Sequence, residues 1–217
     1  VNTIETINPL TDWSWIKIPP MAYPEHSQAG RKAEPTELDP DMQSMLEVAR
    51  GNDAALAGLI EKWQKPLINY FYRSLNSREQ AADLTQILFI NLYRAAPRYQ
   101  PTAKFSTYLF SIARRLLINE YRKNQRNPMD LVDPATLSNW THTARANLNT
   151  MEIEEAFQEA LKTLPDNHRD ALLLYKQQEL SYQEIAEIMN ATESSVKTWI
   201  FRARQKLKAI LKDQLQP

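Results

Sequence analysis

The most constraining stretch of this 217-residue chain runs from Asp166 to Leu211. Ser181 followed by Glu184 spells a capping box, in which the hydroxyl satisfies one free backbone N–H and the carboxylate another. That predicts a short helix from Tyr182 to Met189. Asn190 and Ala191 supply a turn, and Thr192 caps a further helix beginning at Glu193. Ahead of them, a helix over about Asp166–Gln177 carries Ala171, Leu172, Leu174 and Tyr175 as its apolar positions. A short capped helix, a tight turn and a long basic helix make helix-turn-helix geometry.

The last helix sorts into two faces. Val196, Ile200, Ala203, Leu207, Ile210 and Leu211 form one apolar stripe. At about 100° per residue, Ser194, Thr198, Arg202 and Gln205 fall nearly opposite it, with Lys197, Lys208 and Lys212 on the same outward half. Hydroxyls, amides and cations are the groups that meet base edges and phosphates in a major groove. An ordinary solvated face is the rival reading, and the capped helix and turn just upstream tip the balance towards DNA.

Charge and scarce residues narrow the function further. Lysine plus arginine and aspartate plus glutamate both total 26, for zero formal net charge, but the distribution is uneven. Residues 1–61 hold ten acids against four bases. Residues 98–126 hold seven bases against Glu120 alone, and 197–212 hold six bases and no acid. Two basic blocks on a neutral chain suggest two contact points for a polyanion. With no cysteine there is no disulfide, thiolate zinc site or cysteine nucleophile. Glycines at 30, 51 and 58 form no phosphate-cradling pattern, and His26, His142 and His168 never pair on one helix. No apolar run is long enough to span a bilayer, and no signal layout opens the chain. The expectation is a cytoplasmic protein with no membrane insertion, no metal, no cofactor and no enzymatic activity.

The N-terminal half is organised around its prolines. Six of the thirteen fall within 1–40, so this stretch reads as an extension with an extended or disordered path. Trp13 and Trp15 leave a second reading open, an aromatic peptide that docks on a groove. From Asp41 the pattern turns helical. Leu46, Ala49, Leu56, Leu59, Ile60 and Trp63 share a face, broken near Gly51-Asn52-Asp53. Ser77 with Gln80 spells another capping box, opening a helix that places Leu84, Ile87, Leu88 and Leu92 on one stripe until Pro97 ends it. Tyr99 to Lys104 reads as a loop, and an apolar helix follows from about Phe105 to Lys123, with Phe105, Leu109, Ile112 and Leu116 as its stripe. Residues 128–150 are polar and weakly periodic, a flexible linker in which Trp140 could pack on a neighbour. The organisation expected is all-α: an extension over 1–40, small helical domains over 41–127 and 151–213, and no strand or internal repeat.

These residues carry a resemblance. Leu180 to Met189 (LSYQEIAEIM), Val196 to Arg204 (VKTWIFRAR), and Leu164-Pro165 ahead of them resemble region 4 of bacterial RNA polymerase sigma factors, most nearly the extracytoplasmic-function (ECF) group. Ala82 to Gln86 (ADLTQ) with Phe89, and Phe105 to Leu109 (FSTYL) with Ile112, Ala113 and Arg114, resemble sigma region 2. One helix-turn-helix match is weak evidence. Two matched domains in the same order around a short linker are strong.

The resemblance implies a transcription initiation factor that binds core RNA polymerase and directs it to promoter DNA, with an anti-sigma factor as a further candidate partner. It places Asp83, Leu84 and Gln86 on the clamp helices of the largest polymerase subunit, although Leu84 read alone is equally a core residue. Arg98, Tyr99, Lys104, Ser106, Tyr108, Arg114 and Arg115 would recognise and melt the minus-ten element, with tyrosines suited to stacking on an unpaired base. Phe105 and Leu109 read as core. Ser194, Ser195, Lys197, Thr198 and Arg202 would read the minus-thirty-five element. The chain departs from the family at Tyr108, where Trp is usual, at Arg115 and Asn119, where Asn and Asp are common, and at Trp199, which replaces a common Arg and is expected to pack inside. These departures bear on which promoter is read. Two other readings remain: a stand-alone dimeric helix-turn-helix repressor or activator, which needs a palindromic site, and a protein-binding helical adaptor.

Overall fold

The computed structural model describes residues 39–126, 148–177 and 180–215. The expectations for Trp13, Trp15, Trp140 and most of the linker lie outside the described residues. Within them the chain is helical: α1 (Pro40–Ala49), α2 (Asp53–Leu75), α3 (Arg78–Ala95) with a single 3-10 turn (Ala96–Arg98), α4 (Phe105–Arg126), α5 (Leu148–Lys162), α6 (Asp166–Gln177), α7 (Tyr182–Met189) and α8 (Glu193–Leu215).

Local chemistry sets most of these boundaries. Asp39 accepts from the Asp41 N–H at 3.1 Å with Pro40 opening α1, where a missing donor costs nothing. Asn52 accepts from Ala54 and Ala55 at 3.1 and 3.3 Å to start α2. Asn76 and Asn190, at φ 55° and 49°, close α2 and α7 in the left-handed region that asparagine tolerates better than most residues. α2 also runs through Pro66. The Ser181–Glu184 box forms as the sequence predicts. The Ser77–Gln80 box forms only by half. Ser77 accepts from the Gln80 N–H at 3.3 Å, but the Gln80 amide donates across to Glu120 of α4 at 3.4 Å. The amide is turned towards a long-range carboxylate, and no bond from the Ser77 N–H to its oxygen forms.

α1–α4 form one group around Leu67, Tyr70, Phe71, Leu88, Leu92, Leu109, Phe110 and Leu117, all fully buried. Trp63 meets Phe105 and Phe110 at ring separations of 6.1 and 6.2 Å, and Phe110 meets Tyr70 edge-on at 5.4 Å. Trp63 also donates to buried Asp41 at 3.0 Å, with Lys62 completing the ion pair at 2.6 Å, which ties α1 to α2. α5–α8 form the second group. The α8 stripe Val196, Ile200, Ala203, Leu207 and Leu211 is buried as expected, with Ile210 partly so. Trp199 packs against that core.

The two groups do not stand apart. α4 packs on α7, and α2 on α5 and α6, so the buried side chains of both groups merge into one cluster.

Candidate nucleic-acid interface

The helix-turn-helix is fixed by a ladder of side chains as well as by its core. Arg204 of α8 lies over the Tyr175 ring at 4.9 Å. Tyr175 stacks on Tyr182 at 5.2 Å and 10°, and Lys197 of α8 covers Tyr182 at 5.4 Å. Cations on ring faces at both ends of a stacked pair pin α8 against α6 and α7. At the start of α8, Thr192 accepts from the Ser195 N–H at 3.2 Å, and its hydroxyl meets that of Ser195 at 2.8 Å. Lys197 pairs with Glu193 at 2.6 Å, and Thr198 donates to the Ser194 carbonyl at 2.9 Å.

All five expected α8 residues therefore sit on or beside one outward face. Ser194, Lys197, Thr198 and Arg202 are exposed, while Ser195 is half-buried by its cap contact. The structure adds Phe201, 39% exposed between Lys197 and Gln205 on the same face. The signal was available: at about 100° per residue Phe201 falls about 130° from the centre of the apolar stripe. A large ring there has no core to join.

The N-terminal group presents a different arrangement. Tyr99 and Tyr108 meet at 5.0 Å and both pack partly on the core. Burial, with the Tyr108 ring beside it, pushes the Tyr99 hydroxyl up to about 12, and burial raises Tyr108 against the opposing effect of Arg115. Arg98 and Arg115 are exposed and Ser106 half-buried. Phe105 and Leu109 are fully buried, as read. Lys104 is exposed and Arg114 largely buried, and each faces a carboxylate of the second group. Lys104 pairs with Glu184 of α7 at 2.8 Å. Arg114 lies with its Nε 3.7 Å from the Asp170 carboxylate of α6, and the two side chains are 14% and 1% exposed.

Glu184 thus serves two partners. One carboxylate oxygen accepts from the Ser181 backbone N–H at 2.8 Å and the other faces Lys104. Partial burial acts to raise its carboxyl, but the hydrogen bonds from Lys104 and Ser181 outweigh it and hold the group below the ordinary value. Sequence reasoning assigned Glu184 to the cap alone. A cap is local and legible; an ion pair eighty residues back is not.

A third face lies on α3. Asp83 and Gln86 are exposed, whereas Leu84 is buried in the core and leaves the outward side to its neighbours. Those neighbours include Ile87, expected on the buried stripe. It is 43% exposed, because Thr85 and Phe89 on the other flank of the stripe occupy the core instead. Ile90 and Tyr93, each 50% exposed, complete the face. Beside it an open groove of about 340 Å³ runs between Ile60, Gln64 and Ile68 of α2 and Gln86 and Ile90 of α3. Apolar side chains flanked by a carboxylate and an amide suit a protein partner better than a polyanion.

Among the described residues no helix is long and apolar enough to cross a membrane. The sequence matches the family model for Sigma-70 region 2 over residues 59–127 and that for Sigma-70 region 4 over residues 154–207. The ECF RNA polymerase sigma factor SigM of Bacillus subtilis is 34% identical over 155 residues, which cover 70% of this chain and 94% of that protein. The RNA polymerase sigma-H factor of Pseudomonas aeruginosa is 30% identical over 186 residues, 81% of this chain and 96% of that one. In fold, the chain is similar to CnrH, solved in complex with the cytosolic domain of CnrY. That match has a TM-score of 0.63 at 21% identity and covers 81% of this chain and 99% of that chain. A second similar structure is the sigma factor RpoE in complex with the anti-sigma factor NepR from Bartonella quintana, with a TM-score of 0.57 at 22% identity, covering 71% and 97%.

Proposed function

The chain belongs to the extracytoplasmic-function group of RNA polymerase sigma factors, which direct RNA polymerase to promoters, and from that membership we propose a division of labour among its three faces. The α8 face reads the minus-thirty-five element as duplex. Lys197 and Arg202 meet phosphates and guanine edges, Ser194, Ser195 and Thr198 add hydroxyls, and Phe201 meets a thymine methyl. The loop 99–104 and α4 capture the opened minus-ten strand, with Tyr99 and Tyr108 as stacking platforms and Arg98, Lys104, Ser106, Arg114 and Arg115 for backbone and base contacts. The α3 face docks on the clamp helices of the largest polymerase subunit through Asp83, Gln86 and the exposed Ile87 and Ile90, with Leu84 holding the helix from behind.

In this reading the domains are 41–127 (region 2) and 151–213 (region 4), joined by a linker over 128–150 and preceded by an extension over 1–40. The factor performs no covalent chemistry. Its effect is differential binding, since contacts to unpaired bases are available only once the promoter is open. An anti-sigma protein is a further partner, by analogy with RpoE and NepR.

The observation that carries the reading is the pair of sigma domains in order, in a chain that spans nearly the whole of its SigM relative. The stand-alone repressor is not favoured, because its N-terminal half would be a sensor or dimerisation domain rather than sigma region 2. Polymerase binding tests the docking face. Core enzyme titrated onto the fluorescently labelled chain should bind wild type, and Asp83→Ala combined with Ile90→Asp should weaken binding at least tenfold, or about 1.4 kcal/mol. Equal affinity for both would remove α3 from the docking role.

A further inference from the structure

The outward row of α8 does not end at Arg202. Ser194, Thr198, Arg202 and Lys206 follow one another at four-residue spacing, a row that advances about 40° around the helix at each step. By Lys206 the row has turned to the junction of α5 and α6, where Nζ donates to the Thr163 carbonyl just past the end of α5. A cation suits the carbonyl end of a helix, so this bond fixes where the lysine lies. Arg202 and Lys206 are both exposed. His168, on the first turn of α6, is half-buried at the same junction and feels the charge of both.

Three basic side chains from two helices thus converge with no acid between them. Among the described residues no carboxylate pairs with His168, Arg202 or Lys206. Asp166, two residues from the histidine, is taken up by Arg169 at 2.7 Å, and Lys162 at the end of α5 pairs with Glu159. On the opposite side of α6, Arg114 and Tyr121 belong to Asp170. A helix-turn-helix lays its last helix in the major groove and the helices ahead of it towards the sugar–phosphate backbone. We propose that His168, Arg202 and Lys206 form a seat for one backbone phosphate of the bound duplex, with His168 as its proton-coupled member. The inference rests on the assignment of the α8 face to duplex DNA, and adds to that face a contact from another helix.

A histidine is suited to this position where a third permanent cation is not. Burial first, and then Arg202 and Lys206, hold its ring below the ordinary histidine range, so the free chain carries it neutral at pH 7 and avoids the repulsion. A phosphate among the three side chains removes that repulsion, because it offsets the two fixed cations and attracts a charged ring directly. The ring is then charged in the complex over a pH interval in which it is neutral in the free chain. Within that interval binding takes up a proton, and affinity rises as pH falls. Above it His168 is neutral in both states and contributes no charge.

The test uses the full chain and a fluorescent mixed-sequence duplex of about 20 base pairs, since a phosphate contact needs no particular promoter. Affinity is read by anisotropy at low salt, at pH 5.5 and pH 8.5, and then over a series of salt concentrations. The other two histidines and Asp170 titrate in the same interval, so each variant is read against wild type. Wild type should bind about three- to tenfold more tightly than His168→Gln at pH 5.5, and equally at pH 8.5. At pH 5.5 its salt dependence should be steeper by about 0.9 in log–log slope, the value of one phosphate. His168→Arg is charged at every pH and should bind more tightly than wild type at pH 8.5, a gain that a misfolded variant cannot imitate. The ring resonances of His168 should report a pKa higher by about half a unit or more with saturating duplex. The same pH response in wild type and His168→Gln, or no gain in His168→Arg at pH 8.5, would overturn the proposal and leave the α8 reading standing. Failure of wild type to bind the duplex at either pH would remove both.

Discussion

The two basic blocks that look alike in the sequence differ in the folded chain. On α8 Lys197, Arg202 and the hydroxyls of Ser194 and Thr198 face outward, because the apolar stripe of that helix is used by α5, α6 and α7. On α4 the apolar stripe is used by α2 and α3, while Arg114 turns to Asp170 of α6 and Lys104, just before the helix, meets Glu184 of α7. Arg202 is exposed while Arg114 is 14% exposed and paired with Asp170. One polyanion surface is open, and the other is covered by its own chain at Arg114 while Arg98 and Arg115 stay exposed. A run of basic residues therefore identifies a face suited to phosphate without saying whether that face is free.

Four expectations probe this contrast, and the largest concerns the cores that hold each face. Phe110→Ala should destabilise region 2 by about 3–5 kcal/mol, seen as an early urea transition that releases α4. Binding of a minus-thirty-five duplex by region 4 should survive at urea concentrations where region 2 has melted. Simultaneous loss of both would mean that the merged core makes the domains a single cooperative unit.

The pH dependence of the contact between the two helical groups is next. The groups facing Asp170 are Arg114 and Tyr121 of α4, Tyr70 of α2, and Arg169 and Asp166 of α6. A carboxyl raised to about 7 in the packed structure favours that packing fully below its ordinary value of 3.8, and the contribution is lost as pH rises through about 7. Stability to urea should fall between pH 5 and pH 8 and become pH-independent in Asp170→Asn. His168 titrates nearby, lowered by burial and by Arg202 and Lys206 of α8. A pH response that persists in Asp170→Asn would assign the effect to that histidine instead.

Smaller effects belong to the open face. Arg202→Ala should weaken binding to a minus-thirty-five duplex by about 1–3 kcal/mol and leave the domain separation unchanged. A change in separation would contradict the independence of the α8 face. Ser181→Ala removes one side of the capping box and should cost about 1 kcal/mol in thermal or urea unfolding. A loss well beyond that would show that Glu184 depends on Ser181 to hold Lys104.

Much of region 4 was legible because its determinants are local. Ser181, Glu184, Thr192 and the 3.6-residue stripe of α8 fix helix starts, turn and faces within about thirty residues. Region 2 was legible in its helices but less so in its faces. Leu84, Leu88 and Leu92 define a stripe with two possible flanks, and sequence alone does not choose between Ile87 and the Thr85–Phe89 side. Phe201 was overlooked because aromatic residues in a helix are first assigned to the core, although its angle excluded it. Arg114 and Lys104 were recognised as phosphate ligands, yet their carboxylate partners lie about fifty and eighty residues away on other helices. No periodicity or cap reports a contact at that range.

In vitro transcription tests the central claim most directly. Purified chain and core RNA polymerase are incubated with a library of promoter fragments, beside Arg202→Ala and the Asp83→Ala, Ile90→Asp double variant. The account predicts initiation at defined start sites only when the chain is present. Arg202→Ala should reduce it at promoters with a minus-thirty-five element, and the double variant should reduce it at all promoters. No chain-dependent initiation, together with tight binding of the chain alone to a palindromic duplex, would contradict it.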